Sequence, residues 1–344
     1  MKVLVTGHHG YIGSVMTDVL ISAGHEVTGL DTYLYEGCDF GPAPRVVPAI
    51  RKDVRDVVVS DLRGFDAVIH LAALSNDPLG CLSDECTLDI NHVASVRLAE
   101  ASKAAGVPRF LFASSCSLYG AAGGDSLLDE HAAFNPITAY GLSKVLVERD
   151  VSALADDGFS PTFFRNATAY GVSPRLRADV VVNNLVGVAY TTGEVLIQSD
   201  GTPWRPLVHV QDISRAFAMA LAAPREAVHN QAFNVGNSDE NYQVRDIAAM
   251  VQEIVPGASV RYAEGGGPDP RCYRVSCDKI SNVLPGFRTE WTVRRGVMEL
   301  YESYRREGLT REMFSRYVRL TRIQELQRGQ RLGQGLRWQA AVAV

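Results

Sequence analysis

The segment PITAYGLSK, residues 136 to 144, carries a tyrosine and a lysine four positions apart. On a helix this spacing puts Tyr140 and Lys144 on one face. An ammonium beside a phenol stabilises the phenolate and lowers its pKa from about 10. A general acid/base working near neutral pH needs that shift. The same spacing is common on surface helices, so the chemistry depends on what the rest of the chain places around it. Upstream, residues 114 to 120 read SSCSLYG. Its hydroxyls suit chemistry, and Ser-rich loops also cap helices.

The elements that would position these groups begin at the N-terminus, where residues 3 to 13 read VLVTGHHGYIG. Val3 to Val5 form an apolar, β-branched run, as a buried parallel strand does. Gly7, Gly10 and Gly13 follow at three-residue spacing, and a helix is predicted next, ending at Gly24. Strand, glycine turn and helix start make a pyrophosphate cradle: glycine permits φ > 0 and close backbone approach, and the helix N-terminus offers free N–H groups. The spacing is GxxGxxG, not the GxGxxG of the common dinucleotide fingerprint. A second strand, His25 to Leu30, ends at Asp31. An acid there binds both hydroxyls of an adenosine ribose and repels a 2′-phosphate, favouring NAD over NADP; the alternative is a turn-forming Asp.

Residues 33 to 50 read as a loop. Asp53, in KDVRD, precedes a predicted helix and either caps it or contacts adenine. AVIHL, residues 67 to 71, forms a further strand, and Ala72 and Ala73 are small where a cofactor would pass. A helix over 88 to 105 carries Asn91 near its start, and a strand over 110 to 113 follows. The resulting βαβαβαβ pattern predicts an α/β fold, a doubly wound parallel sheet, in which SSCSLYG lies just beyond the carboxyl end of a strand where ligands bind. Further on come a helix from Tyr140 to about Asp157, a strand at Thr162 to Arg165, Asn183 and Asn184 on a helix, a short strand at Leu196 and Ile197, a strand at Phe233 to Gly236, and helices over 246 to 255 and 293 to 307. GGGPDP, residues 265 to 270, reads as a turn. From Thr310, arginines recur at 311, 316, 319, 322, 328, 331 and 337. That pattern suits an acidic partner, a solvated helix or a wrapping tail.

Composition narrows the function classes. The 344 residues, 46% hydrophobic and 21% charged, describe a globular protein of one large or two unequal domains. A net charge of −5 argues against a general nucleic-acid binder. No apolar run is long enough to span a membrane, and Lys2 leads straight into a strand, leaving no room for a signal peptide. The six cysteines show neither zinc-ligand spacing nor a disulfide framework. No metal is expected; reduced thiols and a cytoplasmic location are.

Together TGHHGYIG, Asp31, HLAA (70 to 73), SSCSLYG, Tyr140 with Lys144, NNL (183 to 185) and GTPWRPLVHVQD (201 to 212) resemble the extended short-chain dehydrogenase/reductase family, specifically its NAD-dependent nucleotide-sugar epimerases and dehydratases. The resemblance covers roughly residues 1 to 307. It implies a Rossmann-type domain over 1–165, with segments near 205–236 returning to it, a substrate lobe over 166–310, and a basic tail over 311–344. It implies NAD as cofactor, a nucleotide-diphosphate sugar as substrate, and a homodimer through the helices near 90–105 and 140–157. By position, Ser115 matches the hydroxyl that polarises the reacting oxygen, Tyr140 the acid/base, and Lys144 its partner and a ribose ligand. Gly7, Gly10, Tyr11, Ile12, Gly13, Asp31, Asp53, Val54, Leu71, Ala72, Ala73 and Asn91, together with Tyr140 and Lys144, match cofactor contacts. Ser75, Ser117, Thr168, Asn184, Leu185, Arg205 and Arg271 match contacts to the substrate. Arg205 suits this because a guanidinium meets phosphate oxygens with two parallel bonds. Trp204 beside it is suited to stack on a base or, more simply, to pack.

The departures matter as much. The family's 4,6-dehydratases place an Asp–Glu pair where Cys116 and Ser117 stand, its sugar-acid decarboxylases keep a Glu at the Ser117 position, and its 3,5-epimerizing members place a Cys at the Ser117 position. Without the acid pair, elimination lacks its proton shuttles. Cys116, one residue out of register, is expected to be a buried, inert thiol. Thr168 stands where many relatives have Asn, with Asn166 displaced. The expected activity is 4-epimerization through a transient 4-keto sugar. The alternatives are a 4-ketoreductase of a nucleotide-linked 4-keto-deoxysugar using exchangeable NAD(P)H, and a non-catalytic NAD-binding regulator.

Overall fold

A computed structural model describes residues 1–75, 83–121, 126–265, 267, 269 and 271–339. Cys81, the last five residues of the tail, and Gly266, Pro268 and Pro270 of the GGGPDP turn lie outside the described residues. The strands in chain order are β1 (Lys2–Thr6), β2 (Glu26–Asp31), β3 (Ala49–Arg51), β4 (Ala67–His70), β5 (Arg109–Ser115), β6 (Ser160–Asn166), β7 (Thr168–Tyr170), β8 (Glu194–Ile197), β9 (Trp204–His209), β10 (Gln231–Val235), β11 (Asn241–Gln243) and β12 (Ser259–Tyr262). Seven of them form one parallel sheet in the order β3-β2-β1-β4-β5-β6-β10.

Both faces of that sheet are covered, which explains why its strands are almost continuously apolar. Alternation within β1 sends Leu4 to one face and Val3 and Val5 to the other. The Leu4 side meets Val68, Phe110 and Phe112 of neighbouring strands, with Leu98 and Val147 from the helices Ala94–Ala104 and Ala139–Ser152. The Val3 side meets Met16, Leu20 and Phe217 from the helices Tyr11–Ser22 and Val210–Ala222. Full burial of each such side chain contributes about 2 kcal/mol. The strand order reverses between β1 and β4, so the Gly7 turn and the Leu71–Ala73 segment open side by side at the carboxyl edge.

The second body of structure combines a three-stranded sheet, β11-β9-β7, with the pair β12-β8 and the helices Val181–Thr192, Val244–Ile254 and Val293–Arg306. Its own core includes Tyr170, Leu185, Val195, Ile247, Val297 and Tyr304. The chain returns to the large sheet at β10.

Three sequence expectations change in detail. The loop over 33 to 50 ends in a third parallel strand, because Ala49–Arg51 pairs with the end of β2. The helix expected over 88 to 105 starts at Asp84 and is interrupted by a π turn, Asp89–Val93, which carries Asn91. The helix expected from Tyr140 to about Asp157 stops at Ser152, since the Asp156 carboxylate accepts from Gly158 and Phe159 and closes a turn into β6. The arginine-bearing tail wraps back. Ile323, Leu326, Leu332 and Leu336 join the Leu4-side core, and Arg322 donates to the carbonyls of Leu34 and Glu36.

Candidate active site

One cavity of about 650 Å³ runs along the carboxyl edge of the large sheet and between the two bodies. At its β1 end Gly7 has φ of 72° and donates its N–H to the Leu30 carbonyl, and the Gly10 N–H closes the turn on the Gly7 carbonyl. The helix Tyr11–Ser22 starts there without a side-chain cap, so its first N–H groups face an open site. A Cβ on Gly7 would lie 2.8 Å from Ala72 N, and one on Gly13 would lie 2.2 Å from the Gly7 oxygen. The glycines therefore let turn, β4 exit and helix meet closely. Gly13→Ala is expected to force the turn apart. It should cost about 1–3 kcal/mol of stability and at least tenfold in NAD affinity, read by melting temperature and by NAD titration.

Asp31 ends β2 on the same wall. Its carboxylate accepts from the N–H groups of Tyr33 at 2.7 Å and His9 at 3.0 Å. Burial raises its pKa while those donors pull it down. Asp53 plays the capping role: it accepts from Arg55 N and pairs with the Arg55 guanidinium at 2.7 Å, which holds its carboxyl below the usual range despite burial. Asp53, Val54, Ile12, Leu71, Ala72 and Ala73 all line the cavity. Tyr11 lines it too, while its hydroxyl donates to the Gly171 carbonyl at 2.8 Å and ties the turn to the second body. Asn91 does not reach the cavity lining. It is fully buried, and its amide makes two bonds to the Leu74 backbone, at 2.8 and 3.0 Å, which fix the strand exit from behind.

The chemistry-bearing groups converge further along. The Thr138 hydroxyl accepts from Gly141 N and starts the helix Ala139–Ser152. A Cβ on Gly141 would lie 2.9 Å from the Ser117 oxygen, so this glycine lets the helix dock on SSCSLYG. Tyr140, Lys144, Ser115 and Ser117 then share the cavity wall. Lys144 is 3% exposed, donates to the Ala113 carbonyl at 2.7 Å, and sits 5.5 Å from the Tyr140 ring centre. Burial lowers its pKa to about 7. One turn on, Glu148 is occupied by Arg165 at 2.7 Å and by the Ser114 hydroxyl at 2.5 Å. Ser115 also acts as a cap: its Oγ accepts from Ser117 N and donates to Ser117 Oγ at 3.0 Å.

Cys116 points away into a small core with Leu118 and Tyr119. Its thiol, raised by burial, contacts the Arg165 carbonyl. The burial expected of Cys116 is what the fold gives it. The substrate candidates Ser75, Thr168, Asn184, Leu185, Arg205 and Arg271 also line the cavity, and so does the displaced Asn166, whose Oδ1 is buried without a hydrogen-bond partner. Arg205 and Arg271 both pair with Asp269, at 2.7 and 2.6 Å, a carboxylate that a ligand phosphate would have to displace or share. Trp204 packs: the Arg274 guanidinium lies 4.6 Å over its ring, and Trp204 is not among the cavity-lining residues.

Sequence reasoning missed Arg177, Asp269, Arg319 and Leu336, all on the cavity wall. Arg177 donates to Ser75 Oγ at 3.1 Å and pairs with Asp179. The RAD spacing was a signal for that pair; nothing local marked the two tail residues. Among the described residues no His/Cys/Asp/Glu group is placed to hold a metal ion, and no helix is long and apolar enough to cross a membrane.

The cradle, the Asp31 wall and the row of small residues after β4 fit an extended dinucleotide. Comparison with known proteins agrees. The UDP-glucose 4-epimerase of Corynebacterium glutamicum is 31% identical over 319 residues, covering 87% of this chain and 94% of that protein. MoeE5, solved with UDP-glucuronic acid and NAD, superposes with a TM-score of 0.77 at 30% identity, covering 89% of this chain and 99% of that one. The UDP-glucose 4-epimerase of Thermus thermophilus in complex with NAD gives 0.75 at 25% identity, covering 89% and 99%. The sequence profile of the NAD dependent epimerase/dehydratase family matches residues 3–236, and the chain is an NAD-dependent enzyme belonging to that family.

Proposed function

We propose that this enzyme is a nucleotide-sugar 4-epimerase whose substrate is a UDP-hexose. One observation carries the reading. Ser115, Tyr140 and Lys144 share a wall with the NAD cradle, and the two positions after Ser115 hold an inert thiol and a hydroxyl instead of an acid pair. Bound NAD supplies a reversible hydride acceptor. Tyr140 takes the proton of the sugar 4-hydroxyl, the Ser115 hydroxyl donates to the same oxygen, and the Lys144 ammonium holds the phenolate. Turning the 4-keto sugar presents its other face, and Tyr140 returns the proton. Arg205 and Arg271 bind the diphosphate across Asp269, and Asn184 and Leu185 border it, so the lobe over 166–310 holds the nucleotide. The proposal includes a homodimer through the helices near 90–105 and 140–157, where Val93 and Leu142 are exposed.

The test is purified protein with UDP-glucose or UDP-galactose and no added NAD, followed by chromatography of the nucleotide sugars. Interconversion from either side is expected. No interconversion, with NADH consumed stoichiometrically on a 4-keto sugar, would overturn the reading in favour of a ketoreductase.

A further inference from the structure

The basic tail does more than cover apolar surface. After the helix Arg319–Arg328 the chain makes a small antiparallel loop, bridged at Leu332 and Trp338, whose tip carries Leu336. Leu336 is 2% exposed and lines the cavity at the end where Leu34, Asp53 and Val54 also line it. Its φ is 55°, a conformation that leucine adopts only when the surroundings impose it. Here the clamps are visible. The Arg55 guanidinium donates to the Gly335 carbonyl at 2.8 Å while it holds Asp53, Arg337 pairs with Asp56 at 2.6 Å, and Trp338 Nε1 donates to the Thr32 carbonyl. All three anchors belong to the segments that follow β2 and β3.

A second observation points the same way. Arg319 is 2% exposed and lines the same cavity, with its guanidinium 3.9 Å over the Tyr35 ring. Nη2 donates to the Arg175 carbonyl, but Nη1 is buried without a hydrogen-bond partner. A buried guanidinium nitrogen needs an acceptor, and an oxygen of a ligand in this cavity would supply one.

We infer that the tail segment Arg319–Gln339 is an additional wall of the cofactor site. Leu336 covers the adenosine and Arg319 donates to an oxygen of the dinucleotide, so the tail slows the release of NAD. This rests on the reading that the adenosine lies against Asp31 and Asp53. It also suits epimerization, since a cofactor regenerated in every turnover has no reason to leave.

The test is the release rate of NAD from the purified holoenzyme, followed by exchange against isotope-labelled NAD. Leu336→Gly removes the wall while relaxing the backbone, because glycine accepts φ of 55° freely. Release is expected to accelerate about tenfold or more, matching the loss of one buried leucine contact. The gap in melting temperature between holo and apo protein should shrink. Leu336→Asn, which also tolerates this backbone, serves if the glycine variant does not fold. An unchanged release rate, or an apo melting temperature that falls with the holo–apo gap intact, would overturn the inference and leave the tail a structural brace. If wild-type protein fails to epimerize sugars but the variants still release NAD faster, the wall stands and the proposed activity falls.

Discussion

Tyr140→Phe is expected to lower kcat for sugar interconversion by about 10³-fold while leaving NAD content unchanged. The ring stays, so its packing in the cavity wall is kept and only the hydroxyl that moves the proton is lost. General acid–base groups contribute typically 10²–10⁴-fold. The upper half of that range applies because, in the proposed mechanism, the same oxygen acts twice, once to remove the 4-hydroxyl proton and once to return it. The control is Ser115→Ala, which removes the proposed donor to the reacting oxygen and also the cap on Ser117. It should cost less than the tyrosine change. The measurement is a turnover assay together with NAD quantified after denaturation. A phenylalanine variant with wild-type turnover would remove Tyr140 from the mechanism, and one that loses NAD as well would make the residue part of the cofactor site first.

The parts of this site legible in the sequence are those in which one local pattern does one physical job. The Gly7, Gly10 and Gly13 spacing specifies a backbone turn, the i, i+4 spacing specifies a helix face, and a strand-end acid specifies a carboxylate at the cavity edge. Each is fixed within a few residues. What the sequence hid depends on contacts between distant segments. Asn91 reads as a polar residue near a helix start, yet it braces Leu74 from behind because a π turn redirects it. Leu336 is one leucine in an arginine-rich tail, and its place on the cavity wall follows from a chain reversal nothing local announces. Gly141 was within reach of sequence reasoning, since a glycine inside a helix costs about 1 kcal/mol and asks for a packing reason. The reason is the Ser117 carbonyl oxygen, which would lie 2.9 Å from a Cβ at this position.

Lys144→Met is expected to move activity and stability in opposite directions. Activity should fall about 10²-fold or more, because the phenolate loses the ammonium that stabilises it. Stability of the cofactor-free protein should rise. The Lys144 nitrogen is buried against the Ala113 carbonyl and the Phe112 ring, and the nearest carboxylate, Glu148, is already committed to Arg165 and Ser114. The cation is therefore poorly compensated, which is why its pKa lies at about 7 instead of the usual 10.5. The sign follows from proton counts. Between pH 7 and 10.5 the unfolded chain holds a proton on this lysine that the folded protein has released, so stability rises with pH across that window. Below pH 7 the full cost of burying the charge is present. Methionine, of similar length and without charge, removes that cost, so its advantage over wild type should be largest near pH 6, on the order of 1–3 kcal/mol, and fade by pH 10. Melting curves of both apo proteins at pH 6 and pH 9 read this directly. A variant less stable than wild type at pH 6 would mean that the ammonium is held by its surroundings better than the geometry indicates. The strain would then not be what the site maintains in order to have a charge beside Tyr140. With the expected result, the lysine is a group kept at a cost to folding, and the cost is evidence for its role in the chemistry.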